Sequence, residues 1–237
     1  MADRPIPFSA PMVRALIDGR KTQTRRILNG VPEWCGTDRK PGYSCLTPAG
    51  HIEFRGHYPG DAEVDAGYGS KFVKLPYLKG DRLYVREEYY QRGHWEPVEG
   101  AVTKKGRQKW AFTPADDVIL FDPPAEHRKG RRQADPGTVA WHKRLGRFMP
   151  RIASRMTLTV TGVRVERLQD CSEADAKAEG CDRAPIIMRN DYLSPPETYQ
   201  AGYRALWDSI NGAGAWEENP WVVAVTFTVE QRNIDRG

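Results

Sequence analysis

Residues 9 to 26 read Ser9-Ala10-Pro11-Met12-Val13-Arg14-Ala15-Leu16-Ile17-Asp18-Gly19-Arg20-Lys21-Thr22-Gln23-Thr24-Arg25-Arg26. The first half is a short helix with both ends marked. Ser9 is placed to cap it, Pro11 suits its first turn, and Gly19 supplies the stop. Met12, Val13, Leu16 and Ile17 form one apolar stripe along it. The second half, from Gly19, packs three arginines, one lysine and two threonine hydroxyls into the helix exit. The fold therefore starts as a helix that hands over to extended chain, with reactive side chains at the junction.

Working outward, Gly80-Asp81-Arg82 reads as a turn, and Leu83, Val85 and Glu87 then alternate with Tyr84, Arg86 and Glu88 as in a strand. Met156 to Leu168 is a long strand with Gly162 as a bend or bulge. Ser172-Glu173-Ala174-Asp175 opens a short helix with a capping-box start, and Gly180 ends it. Ser194-Pro195-Pro196-Glu197 opens another, with Tyr199, Tyr203, Leu206, Trp207 and Ile210 at helical spacing and Asn211-Gly212 closing it. Trp221, Val223, Val225, Phe227 and Val229 alternate with Ala224, Thr226 and Thr228, which predicts a terminal strand with one buried face. Residues 29–79, rich in Gly, Pro, Tyr and polar residues, read as loops and short strands in a first insertion, and residues 91–147, polar with Gly and Pro breaks, read as a second with a hairpin near Trp110 and Phe112. With no evident linker or repeat, residues 1–237 read as one α+β domain around a small curved sheet or barrel.

The chain has 237 residues, enough to bury a core, with 28% charged and 39% hydrophobic residues. No apolar run approaches the roughly 20 residues of a membrane span, and Met1-Ala2-Asp3-Arg4-Pro5 carries no signal-peptide core. The expectation is a cytoplasmic protein with no membrane partner. The formal charge of +5 suits an anionic partner. The excess is local: from Arg128 to Arg155 nine Lys or Arg face the single acid Asp135. This run fits either a solvated loop or a surface for a polyanion. Cys35, Cys45, Cys171 and Cys181 form no CxxC pair, and Cys35, Cys45, His51 and His57 are irregularly spaced for zinc, so no metal or other cofactor is expected.

Lys21 and Thr24 can serve catalysis, with a lysine made basic by burial and by neighbouring Arg20, Arg25 and Arg26. They can equally grip phosphate or line a solvated strand. In a regular strand positions 21 and 24 face opposite ways, so cooperation needs a bent backbone. Glu179, in the last turn of a helix, faces the negative end of the helix dipole, which raises a carboxyl pKa and suits a proton shuttle; an exposed surface glutamate is the alternative. Arg86-Glu87 can form a salt bridge or orient a site. Arg151, Ser154 and Arg155 can hold a phosphate or simply support structure, and Trp216 and Trp221 can stack on a base or fill the core. No P-loop, dinucleotide fingerprint, nucleophile elbow or zincin motif is present.

The pattern Gly19-x-Lys21-x-x-Thr24-x-Arg26 after a short amphipathic helix resembles the signature of the ASCH domain family, within the PUA-like superfamily of small β-barrels associated with RNA and modified nucleosides. Gly80-Asp81-x-Leu83, the strand 156–168, the Ser172-Glu173 helix and the last strand fit its order of elements. Arg86-Glu87, Met149-Pro150-Arg151 and Asn219-Pro220-Trp221 are similar to members common in phages and prophages. The resemblance implies a PUA-like barrel with short helices and two long insertions. It further implies an amidohydrolase that cleaves N4-acylated cytosine nucleosides, such as N4-acetylcytidine, with Lys21, Thr24 and Glu179 as its catalytic set. Glu87 is the alternative carboxylate. Arg26, Arg86, Glu87, Arg151, Ser154 and Arg155 are then the expected substrate-binding residues, and a modified cytosine nucleoside or RNA is the expected partner. A module that binds RNA or a modified base, and a metal-independent ribonuclease, are the competing expectations.

Overall fold

The computed structural model describes residues 2–32, 42–44, 47, 50–57, 68–130, 135–185 and 197–236. It is α+β, with strands in several sheets and few helices. The chain forms two compact units, each assembled from three segments. The first holds Met1–Asp3, Ala15–Arg82 and Leu158–Val229, and the second holds Arg4–Arg14, Leu83–Thr157 and Glu230–Gly237. The sheets are open, and among the described residues no strand order closes into a barrel.

The chain begins with β1 (Asp3–Pro7), a strand the sequence reading omits, and α1 (Ala10–Ile17). Met12, Val13, Ala15 and Leu16 are buried, whereas Ile17, expected on the same stripe, is 38% exposed. Gly19 adopts φ 71° and ends the helix as expected.

In the first unit, β2 (Gln23–Ile27) pairs antiparallel with β14 (Trp221–Glu230), from Gln23 opposite Thr226 to Ile27 opposite Val222. On its other edge β14 neighbours β11 (Thr157–Arg167), which runs unbroken through Gly162. β14 thus has a strand on each side, and it departs from the one-faced expectation. Trp221, Val222, Val223, Ala224 and Val225 are all buried, because both of its faces are covered. Val222 packs with Leu168, Cys171, Tyr203, Trp207 and Trp216. Trp221 packs with Phe54, Ile52, Val73, Leu75 and Val165. Phe54 meets Trp221 edge-on at 5.4 Å between centroids.

The segment read as the first insertion supplies that second layer. β3 (Gly42–Ser44), β4 (His51–His57) and β5 (Tyr68–Lys74) form an antiparallel sheet whose Ile52, Phe54 and Val73 face the core. Alternation in β4 and β5 puts one apolar row inward. The other layer comes from α2 (Glu173–Ala178) and α3 (Tyr199–Asn211), with the short pair β12 (Ala184–Pro185) and β13 (Glu197–Thr198). Ser172 and Asp175 form the expected capping box on α2. The cap of α3 is Thr198, whose side chain accepts from the Ala201 N–H; the expected opening at Ser194 lies outside the described residues. Tyr203 and Trp207 are buried on α3, but Ile210 is 58% exposed, beyond the end of the covered face.

In the second unit, β6 (Arg82–Arg86) neighbours β1. The second expected insertion is a sheet of its own. β7 (Tyr89–Val102) and β8 (Gln108–Leu120) form a long hairpin that aligns Trp95 with Phe112 and Pro97 with Trp110. β10 (Ala140–Arg144) adds to β7 antiparallel, and β9 (Arg128–Lys129) adds to β10 in parallel. Among the described residues no helix is long and apolar enough to cross a membrane.

Candidate functional site

The helix exit is strapped down by backbone hydrogen bonds. Lys21 N–H donates to the Ala15 carbonyl at 3.0 Å, and Thr22 N–H donates to the Ala178 carbonyl at 2.9 Å. The Thr22 carbonyl accepts from Phe227 N–H at 3.0 Å, which extends the β2–β14 pairing back to residue 22. Residue 180 closes the arrangement. Its φ is 79°, and a Cβ there would lie 2.8 Å from Ala15 Cβ and 2.9 Å from Lys21 Cβ, so only glycine fits.

Extended backbone through 21–25 sends the odd-numbered side chains to one face. They meet Glu179, the C-cap residue of α2. Lys21 Nζ donates to Glu179 Oε2 at 2.7 Å and to the Glu179 carbonyl at 2.8 Å. Arg25 Nη1 donates to Gln23 Oε1 at 2.6 Å and to Glu179 Oε1 at 3.2 Å. Arg25 Nε donates to Glu166 at 2.8 Å, and its Nη2 pairs with Glu166 at 2.7 Å and Asp175 at 3.3 Å. Lys21, Arg25 and Glu179 are 1%, 2% and 3% exposed. The dipole conflict expected at Glu179 is thus offset by two buried cations.

Burial lowers the Lys21 pKa, against the pull of Glu179 in the other direction and with help from Arg26. Burial works the same way on Arg25, but the surrounding Cys171, Glu179 and Glu166 outweigh it and leave the guanidinium firmly charged. Burial pushes the Cys171 and Cys181 thiols up to about 12, so neither is a thiolate nucleophile near neutrality. Partial burial pushes the Asp175 carboxyl up, yet hydrogen bonds from Ser172 and Arg164 and the charge of Arg25 outweigh it and hold it at about 2. Its folded pKa lies below the ordinary 3.8, so its stabilisation is full above that value and disappears as pH falls through about 2. Thermal melts from about pH 5 to about pH 2 should show a decline that Asp175→Asn makes shallower; parallel curves for the two proteins would contradict this coupling.

Lys21 and Glu179 are therefore brought together across 158 positions of sequence. Thr24 is not. It lies between Gln23 and Arg25, opposite Val225, and so on the other face of β2, with Arg26. No bend occurs between 21 and 24; the hydrogen bonds of Thr22 keep the segment extended. Thr24 is buried, 2% exposed.

The remaining expected substrate-binding residues, Arg86, Glu87, Arg151, Ser154 and Arg155, lie in the second unit. Glu87 is 5% exposed and pairs through both oxygens with Arg155, at 2.9 Å each, rather than with its neighbour Arg86. Arg86 donates to the Arg147 carbonyl at 3.3 Å and lies over the Tyr84 ring. Arg151 forks onto Asp235, with Nε at 3.0 Å from Oδ2 and Nη2 at 2.6 Å from Oδ1. The Ser154 hydroxyl lies 2.9 Å from the Val85 carbonyl and 3.0 Å from that of Met156. These groups have structural partners. Trp216 and Trp221 are both core residues, 7% and 9% exposed.

Sequence reasoning missed Gln23, Arg25, Glu166 and Asp175 as parts of the Lys21–Glu179 network. The alternation of 21, 23 and 25 was a usable signal for the first two. A cavity of about 670 Å³ in the same unit is lined by Gln200, Arg204, Asp208 and Trp216 among others, and Lys21, Thr24 and Glu179 are not in its wall. Its polar groups are engaged in packing: Asp208 accepts from Trp216 N–H at 2.8 Å, and Gln200 donates to the Cys171 carbonyl at 2.8 Å. Among the described residues no group of three His, Cys, Asp or Glu could hold a metal ion; Cys35 and Cys45 lie outside them. No family model, curated protein or solved structure matches this chain.

Proposed function

We propose that this chain is an amidohydrolase that releases the N4-acyl group of a modified cytosine nucleoside, and that its α+β fold is an elaborated PUA-like domain of the ASCH type. The observation that carries the reading is the buried contact between Lys21 and Glu179 at 2.7 Å. Two groups that the resemblance assigns to catalysis meet there, one of them a lysine whose pKa is lowered by burial.

The pair acts as a proton couple. In the deprotonated form that burial makes more accessible, Lys21 takes a proton from water while the water oxygen bonds to the acyl carbon. The tetrahedral adduct collapses with cleavage of the carbon–N4 bond, and N4 takes the proton relayed from Lys21 through Glu179. The products are cytidine and a carboxylic acid, which ionises in solution. The nitrogen leaves readily because it is conjugated to the electron-poor ring. Water is the favoured nucleophile here, because Thr24 lies on the opposite face of β2 from Lys21.

Incubation with N4-acetylcytidine, followed by chromatography for cytidine, tests the proposal. Glu179→Gln and Lys21→Arg should each lower turnover by roughly 10²–10⁴-fold, as expected for loss of a general acid or base, with folding checked by near-UV circular dichroism. Thr24→Val should retain turnover if water attacks, and loss there would return the nucleophile role to Thr24. No cytidine from the wild type, or equal release by the folded variants, overturns the amidohydrolase reading.

A further inference from the structure

Charge is divided unequally between the two units. The second carries 19 Lys and Arg against 11 Asp and Glu, and the first carries 17 against 20. The formal +5 of the chain is thus +8 in one unit and −3 in the other. Within the second unit many cations of the basic run are already paired: Lys143 with Glu88, Arg151 with Asp235, and Arg155 with Glu87. Arg144 and Arg147 have no carboxylate partner among the described residues.

Arg144 is instead enclosed by aromatic rings. Its guanidinium carbon lies 4.0 Å from the centroid of Phe112, 5.0 Å from that of Trp95 and 5.3 Å from that of Phe148. Pairing of Trp95 with Phe112 across β7 and β8 builds two walls, and β10 delivers Arg144 between them and Phe148. Arg147 lies 5.0 Å from the other contact of this cluster, the Phe148 ring, which is 53% exposed. Leu145 and Ile152 nearby in the chain are 45% and 80% exposed. A planar cation held among aromatic rings is pre-organised for phosphate or for stacking on a base. An exposed phenylalanine flanked by unpaired arginines adds a stacking surface beside positive charge.

We infer that the face of the second unit around Arg144, Arg147 and Phe148 binds single-stranded nucleic acid, with phosphates on the arginines and an unpaired base on Phe148. An acidic peptide would use the charge but leave the exposed ring without a role, and a duplex has no free base to stack. The inference does not rest on the amidohydrolase reading, since it concerns a different unit and a binding readout.

Fluorescence anisotropy with a labelled single-stranded RNA of about 15 nucleotides tests it. Binding should weaken linearly on a log–log plot as salt rises. Arg147→Glu and Phe148→Ser, both at exposed positions, should each weaken binding about tenfold. Arg144→Gln should do so as well, with thermal melts reporting its folding. No binding at low salt, binding unchanged in Arg147→Glu and Phe148→Ser, or equal affinity for the matching duplex or for polyglutamate would overturn the inference.

Discussion

Glu179→Leu should destabilise the protein by about 3–5 kcal/mol, the range for removing one partner of a buried ion pair. The carboxylate is 3% exposed and accepts from both Lys21 and Arg25. Arg25 keeps Glu166 and Asp175, so its charge remains compensated. Lys21 keeps its bond to the main-chain carbonyl of residue 179 but loses this carboxylate, while its burial persists. It can escape by losing its proton, which at neutral pH costs about 1.4 kcal/mol for each unit below its ordinary 10.5. That cost is of the same size as the penalty, so deprotonation limits the loss and does not remove it.

Two corollaries separate this account from simple loss of packing. With Glu179 gone, the folded-state pKa of Lys21 falls further below its unfolded value. The unfolded chain then binds more protons, and the penalty should shrink as pH rises toward 10.5. In addition, Lys21→Met combined with Glu179→Leu should be less destabilised than Glu179→Leu alone, because the buried cation that loses its carboxylate is removed as well. Urea denaturation of the wild type, the two single variants and the double variant measures the cycle. A penalty below about 1 kcal/mol, typical of exposed pairs, would show that this pair is not buried as described.

Trp207→Ala should cost about 3–5 kcal/mol, as expected for deleting a large buried aromatic side chain. Trp207 is 5% exposed and packs between α3 and the Val222 side of β14, with the Tyr203 ring at 6.0 Å. Its loss would open a cavity where Leu168, Cys171, Tyr203 and Trp216 converge. Ile210, one turn further along α3, is the internal control. It shares the apolar spacing but is 58% exposed, so Ile210→Ala should change stability by no more than about 0.5 kcal/mol. Equal effects of the two substitutions in calorimetric melts would contradict the described placement of α3.

Local elements were largely legible because local chemistry marks their ends. Gly19 and Gly180 both take positive φ where the sequence pattern ended helices, and Ser172 with Asp175 makes the capping box its spacing suggested. The alternation at Trp221–Val229 correctly indicated a strand. It could not indicate that β14 is covered on both faces, because the second cover comes from Ile52, Phe54 and Val73, in short strands of a stretch that reads as an insertion rather than as part of the core. Exposure along a helix was likewise hidden: Ile17 and Ile210 obey the period yet lie partly in solvent. β1 was missed because Pro5 and Pro7 obscure a strand of only five residues.

The candidate site divides along the same line. The sequence by itself determined that a lysine, hydroxyls and arginines cluster at a helix exit, and that a carboxylate ends a later helix. It also determined that 21 and 24 point oppositely if the chain is extended. Only the tertiary structure decided that the chain is extended there, through the hydrogen bonds of Thr22 to Ala178 and Phe227. That one local conformation sends Lys21 and Arg25 to Glu179 and sends Thr24 to the other face. The reason is physical: alternation is a local rule, whereas the partners that hold residue 22 straight come from more than 150 positions away.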